Sequence, residues 1–339
     1  MKRVALFLLV VAVVVVVYFF PLIKYGVGQA TGQLKIIWHA QAIEDYVKSP
    51  DITDSVKAKI DFVKEVRRFA VDSLGLNDSD NYTTIYDQQG QPVLWVVTGC
   101  KPFAFEAKEW KFPVLGSVPY KGFFSLEKAK KEMTLVEQKG YDAGIRTVGG
   151  WSTLGWFKDP ILSNMLHRSH GDLANLIIHE LVHATIFVRD SVEFNENLAA
   201  FIGDKGADLF MRNKYGRDSE IYRTYRKERL DEKKYIRHIL NGVDTLEALY
   251  QSIGDHELSE KIRLKEALIE EIMQSADTLL LSNSDQLGIA KGFVPNNTYF
   301  MSFMRYRAKQ ELLEKIFAEK FNYKIKSFIL FLKKKHPYL

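Results

Sequence analysis

The sequence is poor in several features that would assign it to other classes of protein. Its 339 residues include a single cysteine, Cys100, so no internal disulfide can form. The net charge is only +5, and no basic stripe interleaved with aromatic residues occurs, which argues against nucleic acid as a partner. Internal repeats and low-complexity linkers are missing too. The length and composition therefore indicate a globular chain that can form one or two domains.

The longest apolar run lies at the N-terminus. Residues 4–23 contain no charged side chain, and a helix of that length spans about 30 Å, the thickness of the hydrocarbon core of a bilayer. Lys2 and Arg3 precede the run and favour a cytoplasmic N-terminus. We therefore expect residues 1–27 to form an uncleaved transmembrane anchor that contacts the lipid bilayer through residues 4–23. A cleavable signal peptide is the alternative.

The stretch after the anchor changes from helical to β-rich character. Apolar residues recur at helical spacing between residues 28 and 76. Residues 82–150 instead hold short runs of β-branched and aromatic residues around one helix that begins at Ser125. Among these runs, Tyr82–Tyr86 and Val93–Val97 are expected to pair as a hairpin. The pattern predicts a small mixed sheet with one helix.

The remaining pattern completes an α+β fold. From about residue 194 onward, the pattern of the sequence is helical. We therefore expect one domain over residues 28–335, with an α/β part in residues 28–190 and a mainly helical part in residues 191–335. The functional cleft is expected between these two parts.

An H-E-x-x-H pattern, His-Glu-Leu-Val-His, begins at His179. Residues four apart on a helix lie above one another, so His179 and His183 can bind one metal ion from the same face. Glu180 lies to the side of that face, where it can deprotonate a metal-bound water. Residues 176–188 carry no other charge, which predicts a buried helix, and Asp172 is its expected N-cap.

A zinc site needs a third protein ligand and an open position for water. Glu196 is the best candidate, because the twelve residues between it and His183 allow a turn and a returning second helix. Small residues after it, such as Gly203, would let the two helices approach closely. Glu193 is the rival third ligand.

The motif and its surroundings resemble the "Putative aminopeptidase" family of bacterial envelope proteins, which are zinc peptidases of the gluzincin type. H-E-L-x-H followed by F-N-E-x-L-A carries the resemblance. Further blocks that match are Trp95, residues 110–122, residues 152–160, Pro295-Asn296-Asn297 and Tyr306. The resemblance implies a gluzincin-like fold with one zinc ion on His179, His183 and Glu196, and with Glu180 as general base. For an envelope protein, the anchor implies a single pass through the inner membrane, with the catalytic domain on the periplasmic side.

The resemblance also suggests how a peptide is held. In gluzincins an edge strand beside the metal helix binds extended peptide, and residues 153–157 are the candidate here, with Gly155 and Trp156 as substrate-binding residues. A loop that packs its aromatic residues into the core is the alternative. Asn297 either positions substrate or caps its helix. Tyr306 is the first choice to stabilise the oxyanion, and a core tyrosine is its alternative role.

These observations predict a zinc-dependent peptidase, in the first place an aminopeptidase, that uses a zinc-activated water and Glu180 as general base. The sequence contains no G-x-M-E-N segment, by which other zinc aminopeptidases recognise a free amino terminus. A membrane-anchored zinc endopeptidase of the envelope is therefore one alternative. A catalytically inactive, membrane-tethered binding or scaffold protein is another, which the intact Glu180 disfavours. His179 also needs an acceptor for its far ring nitrogen, and in many gluzincins an acid one turn after the ligand Glu supplies it. Ala200 occupies that position here and Asp204 lies two turns on, so the sequence leaves this acceptor open.

Overall fold

This computed structural model describes residues 2–112, 116–150, 158–189, 191–282 and 295–336, with side chains from residue 19 onward. The chain is α+β and mostly helical. The α-helices are α1 (Lys2–His39), α2 (Ile43–Tyr46), α3 (Asp54–Phe69), α4 (Leu126–Glu137), α5 (His170–His183), α6 (Val192–Tyr215), α7 (Glu220–Ser252), α8 (Leu258–Ser275), α9 (Asn297–Arg307), α10 (Gln310–Phe321) and α11 (Ile325–Lys335). The strands are β1 (Gln41–Ala42), β2 (Thr84–Tyr86), β3 (Trp95–Cys100), β4 (Trp110–Phe112), β5 (Gly116–Val118), β6 (Lys121–Phe123), β7 (Asp142–Thr147) and β8 (Ile161–Leu162).

Within the described residues, the β-structure is divided among three small sheets, where the sequence predicted one mixed sheet. β2 lies between β1 and β8, β3 lies between β6 and β7, and β4 pairs with β5. The predicted hairpin between residues 82–86 and 93–97 is wrong, because β2 and β3 belong to different sheets. Ile85 of β2 faces Ile161, whereas Trp95 of β3 faces Phe123 and Thr147. Local β propensity identifies these strands, but burial against distant partners decides their pairing.

The main hydrophobic core surrounds α5. Ile177, Ile178, Leu181 and Val182 are at most 1% exposed and pack among buried residues of α3, α6, α10 and α11. This core joins elements from both sides of the predicted division at residue 190, and that division stays a prediction. A second core lies among α7, α8 and α9, and a third lies between α4 and the sheet of β3, β6 and β7. Cys100 is buried.

The metal-motif helix begins earlier than the sequence suggested. Ser169 is the N-cap of α5, because its hydroxyl oxygen accepts a hydrogen bond from the backbone N–H of Asp172 at 3.2 Å. Asp172, the predicted cap, is therefore the third residue of the helix. Its carboxylate accepts a hydrogen bond from the Ser169 hydroxyl at 2.9 Å, so the two residues form reciprocal contacts at the helix start.

The described side chains of α1 start at Phe19, and this part of the helix packs on the β-structure. The Tyr25 hydroxyl and the Gln29 amide both donate to the carbonyl oxygen of Gly122, at 3.0 and 2.9 Å. Ile36 is 2% exposed and belongs to the main core. This half of α1 is therefore part of the folded domain.

The predicted transmembrane anchor is corrected by this structure. Among the described residues, no helix is both long enough and apolar enough to cross a membrane. In the half of α1 whose side chains are described, Lys24 and Lys35 carry charge and Pro21 interrupts the backbone hydrogen bonds of the helix. The anchor at residues 4–23, its bilayer contact and the single-pass inner-membrane location are therefore wrong as predicted.

Candidate metal centre

Two antiparallel helices bring the three predicted ligands together. His179 and His183 lie one turn apart on α5, and Glu196 lies in the first turns of α6. The Nε2 atoms of the two histidines are 3.1 Å apart, and each is 3.4 Å from Oε2 of Glu196. Ligand atoms bound to tetrahedral zinc at 2.0–2.2 Å lie about 3.3–3.6 Å from one another. The two distances to Glu196 fall within this range and the distance between the histidine nitrogens is slightly shorter, so the triangle of donor atoms is close to the size of a zinc site.

The donors are buried and electrostatically coupled. The side chains of His179, His183 and Glu196 are 14%, 11% and 17% exposed. Burial raises the pKa of Glu196, but hydrogen bonds with both histidines outweigh burial and hold that pKa well below its usual range. Burial lowers the pKa of His183, whereas the hydrogen bond and charge of Glu196 act more strongly and raise it. Among the described residues, this is the one group of three or more His, Cys, Asp or Glu side chains with converging donor atoms.

Close helix packing places the donors at this separation. A Cβ atom on Gly203 of α6 would lie 3.2 Å from the carbonyl oxygen of Asn175 and 3.4 Å from Cβ of His179. The prediction that small residues permit a close approach is therefore confirmed at Gly203. Glu193, the rival ligand, instead faces outward, where its carboxylate is 3.5 Å from Nζ of Lys309.

The two asparagines that flank Glu196 fix its position. The Asn195 side chain accepts from the N–H of Val188 at 2.9 Å and donates to its carbonyl at 2.8 Å, which ties α6 to the turn after α5. The Asn197 side chain donates to the carbonyl oxygen of Arg305 at 2.7 Å and accepts from the N–H of Lys309 at 2.8 Å. Glu196 is thereby held against α5 on one side and against the α9–α10 junction on the other.

Glu180 is directed toward the segment that follows β7, at Gly150. A Cβ atom built on Gly150 would overlap the Glu180 carboxylate, and it would lie 3.0 Å from Cδ. Glycine at this point of the chain leaves space for the carboxylate in its observed position. Glu180 therefore lies beside the donor cluster without being one of its three members.

Tyr306 lies next to the cluster, as its sequence block suggested. Its ring centroid is 6.4 Å from that of His179, and its hydroxyl accepts a hydrogen bond from Arg146 at 3.2 Å. Burial raises the pKa of Tyr306 and the charge of Glu196 adds to this effect, while Arg146 and Arg305 oppose it. The phenol is therefore protonated at neutral pH and can act as a hydrogen-bond donor.

Three further residues beside the cluster were missed by the sequence reasoning. Arg146 comes from β7, Arg305 precedes Tyr306 on α9, and Tyr120 lies between β5 and β6. Burial raises the pKa of Tyr120 to about 12, with contributions from Glu196 and Tyr306. The sequence offered one signal for Arg146, which is a lone arginine inside a β-rich run. Tyr120 lies within residues 110–122, which match the family as a block, but the sequence did not single it out.

The other predicted substrate-binding residues are Gly155, Trp156 and Asn297. Gly155 and Trp156 lie outside the described residues. Asn297 is fully buried, and its side chain donates to the carbonyl oxygen of Lys101 at 3.0 Å and accepts from the Tyr250 hydroxyl at 2.7 Å. The helix cap is Asn296, whose side chain accepts from the N–H of Thr298 at 3.0 Å. These contacts give Asn297 a structural role.

Asp204, which lies two turns after Glu196, is paired with residues of other helices. Its carboxylate accepts from the Asn175 side chain at 2.6 Å and pairs with Arg307 at 2.5 Å. Arg307 is also 3.2 Å from Glu232, which pairs with Arg229. Asp204 therefore belongs to an ion-pair network that joins α6, α7 and α9 behind the metal helix.

Comparison with known proteins gives a family but no named relative. No curated protein and no solved structure matches the chain significantly. A family model does match residues 24–334, which is most of the chain and includes every described element of the candidate site. This chain therefore belongs to the family described as "Putative aminopeptidase".

Proposed function

We propose that this protein is a zinc-dependent peptidase in which His179, His183 and Glu196 hold the metal. The convergence of these three donor atoms, 3.1–3.4 Å apart and beside a further carboxylate, carries the proposal. Two imidazoles and one carboxylate are a donor set typical of catalytic zinc. When bound, zinc would supply Lewis-acid activation of the substrate carbonyl and of a water molecule.

Glu180 is proposed to move the proton in this reaction. Its carboxylate takes a proton from the attacking water and later delivers it to the nitrogen of the leaving amine. The close approach of Gly150 supports this role, because a glycine there leaves the carboxylate of Glu180 unobstructed. Glu180 also shares α5 with His179 and His183, so the base and two ligands are held by one rigid helix.

Tyr306 is proposed to stabilise the negative charge that develops on the carbonyl oxygen. Its raised pKa keeps the hydroxyl protonated, and Arg146 holds that hydroxyl through the 3.2 Å hydrogen bond. Asn197 helps to fix the position of Tyr306 relative to Glu196, because it links the backbone of Arg305 to the helix that carries Glu196.

The family name makes aminopeptidase activity the first expectation, and endopeptidase activity is the alternative. The test is hydrolysis of a fluorogenic peptide library by the full chain loaded with zinc, with each peptide offered with a free and an acetylated amino terminus. Loss of cleavage on acetylation assigns an aminopeptidase, whereas equal cleavage assigns an endopeptidase.

The matched variant is Glu180→Gln, which keeps the side-chain shape but removes the base. We expect hydrolysis to fall by about 10²–10⁴-fold while the bound zinc is retained. A zinc-loaded wild-type chain that cleaves none of the peptides would overturn the peptidase proposal and favour the binding or scaffold protein.

A further inference from the structure

Two arginines beside the candidate metal centre come from distant parts of the chain. Arg146 of β7 donates to the Tyr306 hydroxyl, and its guanidinium carbon is 5.9 Å from the centroid of that ring. The guanidinium carbon of Arg305 on α9 is 5.9 Å from the ring centroid of Tyr120. Both arginines oppose the rise in the pKa of Tyr120. We call Arg146 and Arg305 the arginine pair.

The arginine pair has no carboxylate partner of its own among the described residues. Arg305 is 6% exposed, and Nε of Arg146 is buried without a hydrogen-bond partner. The acidic group that acts on Arg305 electrostatically is Glu196, which is already engaged by His179 and His183. A buried guanidinium without a matched anion is unfavourable unless a ligand supplies the anion.

Other buried arginines of this chain show the contrast. Arg307 pairs with Asp204 at 2.5 Å and with Glu232 at 3.2 Å. Arg229 pairs with Asp172 at 2.6 Å and also with Glu232 at 2.5 Å. Arg307 and Arg229 are thus each neutralised by two carboxylates, whereas the arginine pair next to the donor cluster is not. Nε of Arg229 also lacks a hydrogen-bond partner, so the contrast lies in the carboxylates and not in that atom.

We propose that Arg146 and Arg305 bind a carboxylate group of the peptide substrate, next to the bond that is cleaved. The inference rests on the proposed peptidase function. Guanidinium groups recognise carboxylates through paired N–H donors, and carboxylates are the anionic groups that ordinary peptides carry. The carboxylate is either the C-terminal one of a short peptide or the side chain of Asp or Glu. A free amino group has the same charge sign as the arginine pair and is repelled there.

The test measures binding and turnover of matched peptides by the full chain loaded with zinc. Ala-Ala-Ala as the free acid is compared with its C-terminal amide, which reports on the terminal carboxylate. In the C-terminal amide of this tripeptide, each alanine is then replaced in turn by Glu or by Gln. The comparison of Glu with Gln at one position reports on a side-chain carboxylate. Dissociation constants are measured by calorimetry in the Glu180→Gln chain, and kcat/KM is measured in the wild type.

We expect the wild type to prefer one class of carboxylate peptide by at least about tenfold. This preference should fall to about one- to threefold in Arg146→Gln and in Arg305→Gln, and the Lys variants should restore part of it. Arg263→Gln is the matched control, because Arg263 is exposed and pairs with Glu260 at 2.7 Å, and it should keep the wild-type preference.

The outcomes separate this inference from the proposed function. Equal binding of acid and amide, and of Glu and Gln peptides, by the wild type would overturn the arginine proposal without relying on any variant. A preference that persists in both Gln variants would overturn it as well. If no peptide is cleaved but carboxylate peptides bind through the arginine pair, the arginine site stands and the peptidase proposal fails.

Discussion

The side-chain amide of Asn197 donates a hydrogen bond to the backbone carbonyl oxygen of Arg305 at 2.7 Å. Asn197 directly follows Glu196 in the chain, and Arg305 directly precedes Tyr306. This hydrogen bond therefore links the helix that carries a proposed zinc ligand directly to the helix that carries the proposed oxyanion donor. Because Asn197 is 1% exposed, water cannot replace this bond.

Replacement of Asn197 tests this coupling. Asn197→Ala leaves the carbonyl of Arg305 and the N–H of Lys309 without their partner, and we expect the free energy of unfolding to fall by about 2–4 kcal/mol. Chemical denaturation measures this change. Asn241→Ala on the exposed face of α7 is the control and should change stability by less than about 0.5 kcal/mol. Equal effects of the two variants would remove the structural role given to Asn197.

Replacement of Gly150 tests the position of the base. The Cβ of Gly150→Ala overlaps the Glu180 carboxylate, the flexible end of a side chain, so we expect the carboxylate to turn away while the fold persists. A base displaced by about 1 Å should lower kcat about 10²-fold with zinc content unchanged. Gly254→Ala, whose Cβ meets no atom within 4 Å, is the control for steady-state kinetics. Wild-type kcat in Gly150→Ala would mean that Glu180 does not work from this position.

The two tyrosines beside the cluster are distinguished by removing one hydroxyl at a time. Tyr306→Phe should lower kcat by about 10²–10³-fold with little change in KM, because the oxyanion donor acts in the transition state. Tyr120→Phe removes the hydroxyl of the neighbouring tyrosine and keeps its ring, and this variant should lower kcat less. If Tyr120→Phe has the larger effect on kcat, the oxyanion role passes from Tyr306 to Tyr120.

The start of the metal helix should make the fold sensitive to acid. Burial lowers the pKa of His170, and the positive charges of Lys59 and Lys214 lower it further. The unfolded chain therefore binds this proton more readily than the folded one, so stability falls as pH decreases through about 6.5 toward the lower folded pKa. His170→Phe keeps the ring that packs 4.5 Å from Phe62 but cannot titrate. We expect the free energy of unfolding, measured by chemical denaturation, to fall less between pH 7.5 and 5 in this variant than in the wild type. Parallel plots of this free energy against pH for the two chains would contradict the role given to His170.

Local rules predicted the parts of the site that lie close together in the sequence. The i, i+4 spacing of His179 and His183 follows directly from helical geometry. Glu196 could be assigned because a short turn and an antiparallel helix bring it back to α5, and small residues such as Gly203 indicate close packing. α4 also begins where the Ser125 cap predicts it.

Features that depend on distant contacts were not predictable in this way. Arg146 and Tyr120 reach the cluster because β7 and the β5–β6 connection meet α9, and no local pattern encodes that meeting. The expected hairpin failed for the same reason, since β2 pairs with β8 from beyond residue 160. Asn297 is a third example. The sequence suggested a substrate-binding or capping role, but its side-chain amide donates to the carbonyl oxygens of Lys101 and Pro102, which are almost 200 residues away in the chain.

The zinc site itself is tested by the metal content of the purified full chain. We expect about one zinc per wild-type chain after loading and removal of excess metal, and clear loss in Glu196→Gln. Glu193→Gln is the matched control, because Glu193 lies one turn earlier on α6 and faces Lys309; this variant should keep its zinc. A wild-type chain that retains no metal, or that loses it in Glu193→Gln and keeps it in Glu196→Gln, would contradict the site described by His179, His183 and Glu196.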